Sequence, residues 1–404
     1  MNSFAAFHTS LRPGVFRSSS RQPGISRRGW GLFTAVFVLL GCWVYFLLAI
    51  AAAVRHSRRG RPKSSARHTA ISVLKPLSGL DEGLEENLRS YFEQDHEEFE
   101  LLFAAREESD AAVPVVRRLM REYPAIPSKL IITGEPPYPH AKVYSLQCML
   151  DQARYDLIAM GDSDVRVGRD FCRSLADEFA DEKLGLVTCP YRAMPGKSFW
   201  SRLEALGMNT DFHAGLFTAV MMEGTKFAVG PTIVARRSVL TALGGMERFK
   251  DYLAEDYMLG RVAAEHGFVV RISPYVIEHR IGSETMRANF AHRLRWARSS
   301  RRSRPWGYVG QFFTHSLPVG LLVCLVHPAW WWLLAVTFCL RAAAAWVVSY
   351  RVLGAAIPWL LLPLQDAVGF LFWIAGFFGK SIHWRGQRYT LNRDGTIGWA
   401  APSA

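Results

Sequence analysis

The sequence predicts an α/β fold, a mostly parallel sheet wrapped by helices, carried on membrane helices at both ends. Three observations predict it. Between His68 and Arg304 short β-rich apolar runs alternate with helical stretches, a rhythm that builds parallel sheets through right-handed crossovers. From Trp30 to Val54, and through most of Val309 to Phe378, the chain is apolar and nearly free of charge, as lipid-facing helices are. Finally, the run Leu157 to Met160 stops at Gly161 against Asp162, Ser163 and Asp164. That puts two carboxylates where a buried strand surfaces, the place where open α/β sheets bind ligands.

Residues 1–29 are rich in Ser, Arg, Gly and Pro without a hydrophobic period, so disorder is expected there. Trp30 to Val54 can cross hydrocarbon about 30 Å thick and is too long for a signal-peptide core, which makes it an uncleaved anchor. Arg55, Arg58, Arg59, Arg61, Lys63 and Arg67 follow at once and outweigh the scattered Arg12, Arg17, Arg21, Arg27 and Arg28 before it. The positive-inside tendency then places the bulk of the chain in the cytoplasm, on the inner or plasma membrane if the protein is bacterial. A net charge of +13 over 404 residues would by itself permit a nucleic-acid partner. The basic residues crowd the borders of apolar runs instead of forming a groove-like face, so the bilayer is the expected partner and nucleic acid is not. Six cysteines without a C-x-x-C pair imply neither a zinc site nor a disulfide framework.

Within residues 68–305 strands are expected at Ile71 to Leu74, Phe99 to Ala105, Leu130 to Thr133 and Leu157 to Met160. Helices are expected at Leu84 to Phe92, Val113 to Tyr123, Lys142 to Ala153, Phe171 to Phe179 and Met286 to Ser299. Leu203 to Gly224, with Met208, Phe212, Phe217, Met221 and Met222, is either core or an adaptable surface over the membrane. Residues 309–379 should form a hairpin at about 311–327 and 329–349 and a third segment at about 357–378. Three full crossings would leave Arg385, Arg388 and Arg393 of the tail, residues 380–404, on the wrong side, unless one segment is re-entrant or interfacial. Arg341 inside a span costs about 3 kcal/mol on insertion scales and should face protein or a channel.

The chemistry-bearing residues follow from type and position. Asp162 and Asp164 offer hard oxygen ligands two residues apart, suited to Mg²⁺ or Mn²⁺ that keeps waters and shares a phosphate; a solvated turn is the plain alternative. Arg106, Glu107, Glu108 and Asp110 crowd the end of the second strand. Lys142 opens a helix, where a cation beside the N-terminus favours a pyrophosphate. Glu255 and Asp256 are expected inside a helical stretch covering Tyr252 to Val262, so they point about 100° apart and only one faces a site while the other meets solvent or a cation.

Taken together, I-S-V-L-K-P-L-S-G at 71–79, D-S-D-V-R at 162–166, A-E-D-Y at 254–257, R-L-R-W at 293–296 and the closing W-R-G-Q-R-Y-T-L at 384–391 resemble the ordered motifs of glycosyltransferase family 21. That family comprises ceramide glucosyltransferases and bacterial relatives including hopanoid glycosyltransferases. The resemblance implies a GT-A fold with a Rossmann-like sheet and inverting transfer of one sugar, glucose or N-acetylglucosamine, from a UDP-sugar to a membrane lipid. It further implies that Asp110 holds the nucleotide, that Asp162 and Asp164 position sugar and metal, and that Asp256 is the catalytic base. Arg295 and Trp296 match a motif near the departing diphosphate and acceptor entrance, whose first position is His292 here, a hydrogen-bond donor without a guanidinium fork. His213 matches a histidine of the ceramide enzymes, and His140-Ala141-Lys142 stands where Asn-Pro-Lys is usual. A processive polysaccharide synthase, a polyprenyl-phosphate sugar synthase and a non-catalytic scaffold remain the alternatives.

Overall fold

The computed structural model describes residues 27–60, 69–283, 285–384 and 387–399. Of residues 1–29, where disorder is expected, 1–26 lie outside the described residues, as do Arg61, Lys63, Arg67 and Arg385, while 27–29 are helical because they begin the Arg27–Ser57 helix. The strands of the catalytic domain are β1 (Ile71–Pro76), β2 (Phe99–Ala105), β3 (Ser128–Ile132), β4 (Leu157–Gly161), β5 (Val165–Arg166), β6 (Leu184–Thr188), β7 (Tyr191–Pro195), β8 (Thr232–Arg236), β9 (Val269–Ile272) and β10 (Ile277–Ile281). The seven-stranded main sheet has the order β3-β2-β1-β4-β8-β6-β9. β8 pairs antiparallel with both β4 and β6, and every other pairing in it is parallel. β1, β2 and β4 are buried along their whole length, which is why they read as unbroken apolar runs: helices cover both faces. Leu88, Val116 and Leu175 pack on one face; Val143, Leu146, Leu240 and Leu259 pack on the other. A small second sheet, β5-β10-β7, stands beside the end of β4.

Most element boundaries shift by one to four residues from the sequence reading, and one shift has a long-range cause. The helix bearing the paired acids is Glu255–Glu265, so Tyr252 to Ala254 are outside it. The cause is long-range: Tyr252 forms a β-bridge with Thr396, and the Leu253 amide donates to the Gly395 carbonyl at 3.3 Å. Backbone groups taken by another segment cannot also serve a helix.

Helix Arg27–Ser57 is the expected anchor. At the other end, Pro305–Thr314 and Ser316–Val326 form a pair bent by 49°, followed by Pro328–Val352 and Trp359–Gly376, both long and apolar enough to cross a membrane. The tip of the first hairpin packs on the N-terminal half of the anchor, Val323 and Leu333 against Leu39. Its returning end packs on the other half, Val347 and Val348 beside Ala49, Ala52 and Ala53, together with Phe217 and Ile272 of the catalytic domain. The hairpin thus runs out and back along the anchor.

Leu362–Gly376 instead lies against catalytic-domain helices: Phe290 and Phe372 rings are 4.6 Å apart, and the Arg293 guanidinium sits 4.5 Å over the Phe372 ring. The tail that follows, strands β11 (Ser381–Trp384), β12 (Gln387–Leu391) and β13 (Ile397–Trp399), docks on the catalytic domain through a core of Leu253, Ile382, Tyr389, Leu391 and Ile397. The tail thus packs on the catalytic domain, and Leu362–Gly376 packs on Met286–Ser303 and Phe199–Gly207 as well as on Ser316–Val326. Arg341 faces protein: only 1% exposed, it pairs with Asp366 at 2.9 Å and Asp211 at 2.5 Å.

Candidate active site

The site gathers at the carboxyl ends of β1 and β4. Lys75, the last residue but one of β1, is wholly buried, lies 4.0 Å over the Tyr91 ring and donates to the backbone carbonyl of Asp162. Burial pushes its ammonium down to about 7 against the pull of Asp162, Asp164 and Asp81. Asn87 donates to the Ser163 carbonyl at 3.4 Å, and the Ser163 hydroxyl donates to Asp81 at 2.5 Å. The D-S-D turn is therefore held through the backbone of Asp162 and Ser163 and the Ser163 hydroxyl, without using either of its carboxylates.

Lys142, at the start of helix Ala141–Leu150, bridges two of the acids: its Nζ is 2.7 Å from Asp162 Oδ1 and 2.8 Å from Glu255 Oε1. The second oxygen of Glu255 lies 3.2 Å from His140 Nε2. Burial pushes Glu255 up, but Lys142 and His140 together outweigh it and hold the carboxylate well below its usual range. Asp256 is placed differently. It faces Gly230, where a Cβ would meet Asp256 Oδ2 at 2.8 Å, so only glycine leaves room for it. Burial, then the neighbouring Glu255 charge, raises Asp256 from its ordinary 3.8 to about 7. One helix turn thus carries an acid fixed in its charged form and another poised to exchange a proton near neutral pH.

Asp164 lies 3.1 Å from His279 Nε2, and its Oδ1 is buried without a hydrogen-bond partner among the described residues. Burial pushes Asp164 up, yet His279, Lys75 and Lys142 outweigh it and keep it charged. An unsatisfied carboxylate oxygen beside Asp162 is what a hard divalent cation takes. Among the described residues no cluster of three or more His, Cys, Asp or Glu forms a ready cage, so waters and a phosphate would complete the shell, as Mg²⁺ and Mn²⁺ prefer.

The sequence profile described as Glycosyl transferase family 21 matches residues 34–397. This chain belongs to that family. Among its relatives, Ceramide glucosyltransferase 1 of Caenorhabditis elegans is 32% identical over 228 residues, 56% of this chain and 48% of the relative, so the chain spans about half the length of that protein. Ceramide glucosyltransferase 3 of the same organism is 25% identical over 378 residues, 89% of this chain and 81% of the relative. The structure of the mannosyltransferase PcManGT from Pyrobaculum calidifontis, in complex with GDP-Man and Mn²⁺, aligns over 86% of this chain and 97% of its own with a TM-score of 0.52 and 20% identity. The shared fold is GT-A.

The remaining residues singled out in this family 21 sequence fall around that centre. Both oxygens of Asp110 accept from the Gly79 amide, at 3.0 and 3.1 Å, and Oδ1 also accepts from Ala112 at 2.9 Å. Asp110 thus braces the loop after β1. His213 does not reach the cleft surface: it is wholly buried, with Nδ1 2.7 Å from the Met208 carbonyl and Nε2 accepting the Tyr191 amide at 3.2 Å. A direct substrate contact for His213 is corrected to a supporting one, because both ring nitrogens serve backbone. His292 Nδ1 lies 3.0 Å from Glu204 Oε1, Trp296 packs between His292 and Phe212, and Arg295 is half-buried on the same helix, Met286–Ser303.

His279 is the residue that sequence reasoning missed. Its signal was present: along β10 Ile277, His279 and Ile281 alternate inward, and a histidine on the buried face of a strand needs a partner.

Proposed function

We propose that this protein is a membrane-bound inverting hexosyltransferase that moves one sugar, glucose or N-acetylglucosamine, from a UDP-sugar to the hydroxyl of a membrane lipid, from a catalytic domain on the cytoplasmic face. The observation that carries the reading is the placing of Asp256: a half-buried carboxylate held against Gly230 in the same cleft as Asp162 and Lys142, its pKa raised to about 7. A base of that strength can take a hydroxyl proton at physiological pH. The acceptor oxygen attacks C1 of the sugar, its proton passes to Asp256, and the bond from C1 to the β-phosphate oxygen breaks on the opposite face with the electron pair leaving on UDP. Mg²⁺ or Mn²⁺ held by Asp162 and Asp164 would neutralise charge on the departing diphosphate. Lys142 keeps Asp162 oriented and adds positive charge beside it. Glu255 anchors Lys142 and, by staying charged, raises Asp256.

The acceptor is read as a lipid because the anchor, the hairpin and Leu362–Gly376 all pack on the catalytic domain and because the curated relatives are named ceramide glucosyltransferases. Mass spectrometry of lipids from cells expressing the chain, against cells expressing Asp256→Asn, tests the reading. A new hexosyl lipid present only with the wild type supports it and identifies ceramide, hopanoid or diacylglycerol as acceptor. Long polysaccharide, or no difference between the two lipid pools, overturns it.

A further inference from the structure

The helix that carries Asp256 begins without the usual local device. Its N-cap is Ala254, which makes no side-chain cap hydrogen bond, whereas Ser, Thr, Asp or Asn at that position fixes the first turn by accepting an amide. The approach to it is instead fastened by a segment about 140 residues further along the chain, counted from the numbering. Ile397 donates its amide to the Asp251 carbonyl at 2.7 Å, Leu253 donates to Gly395 at 3.3 Å, and Tyr252 and Thr396 form an antiparallel bridge. Leu253 is buried among Ile382, Tyr389, Leu391 and Ile397.

The root of the same tail is tied to the other helix of the site. Arg298 donates to the carbonyls of Phe378 at 2.9 Å and Ser381 at 2.6 Å, and Arg301 to Phe377 at 2.6 Å. Both arginines lie on Met286–Ser303, which bears His292, Arg295 and Trp296. One short sheet therefore spans the Met286–Ser303 helix and the three residues that lead into Glu255 and Asp256.

We propose that the C-terminal β-tail is a positioning clamp for the catalytic base: β13 and the turn before it hold Asp251 to Leu253 so that the first turn of the following helix, and Asp256 on it, is fixed against Gly230. The tail acts through the backbone entering that helix. Positioning of this kind is spent on the step in which the proton moves, so its loss should lower kcat while leaving the binding of donor, which is held elsewhere, unchanged. The proposal rests on Asp256 being the base, as argued above.

The experiment uses the full-length protein in detergent or nanodiscs with Ile397→Pro, which removes the amide that Asp251 accepts, and Ile397→Val as the conservative control. Two measurements are made: hydrogen–deuterium exchange over 251–258, which does not depend on the identity of the substrate, and steady-state turnover. A second pair, Tyr252→Cys with Thr396→Cys, is combined with Ile397→Pro so that oxidation re-joins the bridge. Faster exchange in Ile397→Pro, a fall in kcat of more than about tenfold with donor KM within about twofold, wild-type behaviour for Ile397→Val, and recovery on oxidation that dithiothreitol reverses are the expected results. Unchanged exchange over 251–258 would overturn the clamp, whatever the substrate proves to be. So would faster exchange with kcat intact, or a loss of activity that oxidation does not restore and that follows melting of the whole protein. Failure of the base assignment shows separately, as an Asp256→Asn variant that keeps its kcat.

Discussion

Replacing Asp256 by asparagine should make the protein less active and, at alkaline pH, more stable. Its carboxyl is raised from 3.8 to about 7 by burial and then by Glu255. At 1.36 kcal/mol per tenfold change, the charged form is disfavoured in the folded chain by up to about 4 kcal/mol relative to the unfolded one. The sign follows from the raised value: the folded state holds the proton more tightly, so the wild type loses stability as pH rises from about 4 through about 7. Asparagine keeps the shape without the charge. Thermal melts of the two proteins should therefore coincide near pH 4 and separate by pH 8, with the variant melting higher by several degrees for a shift of a few kcal/mol. Activity moves oppositely. With a base of pKa about 7, about a tenth of the wild type is competent at pH 6 and nine-tenths at pH 8, so kcat/KM should rise roughly tenfold across that interval. Asp256→Asn should lose a hundredfold to ten-thousandfold in kcat, with donor affinity nearly intact. A flat wild-type profile between pH 6 and 8, or a variant with raised donor KM and unchanged kcat, would refute the assignment and make Glu255 the next residue to test.

Three further outcomes are expected. If the unsatisfied Oδ1 of Asp164 takes a divalent ion, EDTA should abolish transfer, Mn²⁺ or Mg²⁺ should restore it, and Asp164→Asn should raise the metal concentration needed for half activity; full turnover in EDTA would contradict this. Asp110→Asn keeps one oxygen for the Gly79 and Ala112 amides but sets an NH2 where the second oxygen accepts from Gly79, so the loop should loosen and donor KM should rise more than kcat falls, measured by donor titration. Arg341→Gln strands Asp366, which is fully buried, and Asp211, and should cost about 3–5 kcal/mol in chemical or thermal unfolding, whereas Arg341→Met with Asp366→Leu and Asp211→Leu should recover much of that loss.

The sequence by itself determined the elements whose causes are local. Leu157 to Met160 read as a buried strand because four apolar residues stop at Gly161, and the structure extends it by that one residue. Leu84–Phe92 and Phe99–Ala105 have the boundaries their patterns imply; Asp162 and Asp164 were legible as charges standing where an apolar run ends, Lys142 as the opening of a helix, and Glu255 and Asp256 as an acid pair on a helix. Their partnership was not. That Lys142 joins Asp162 to Glu255 across more than ninety residues of chain, and that Asp256 beside them has its pKa raised to about 7, depends on which strand neighbours which. Only the tertiary structure decided that Leu362–Gly376, part of the Trp359–Gly376 stretch apolar enough to cross a membrane, packs against Met286–Ser303; hydropathy measures transfer from water and is silent on what a helix packs against. It also decided that the tail returns to the start of the helix bearing Asp256 and that His279 stands behind Asp164. Pairing between distant segments is chosen by the packing of the whole chain, and no single stretch of sequence carries a record of it.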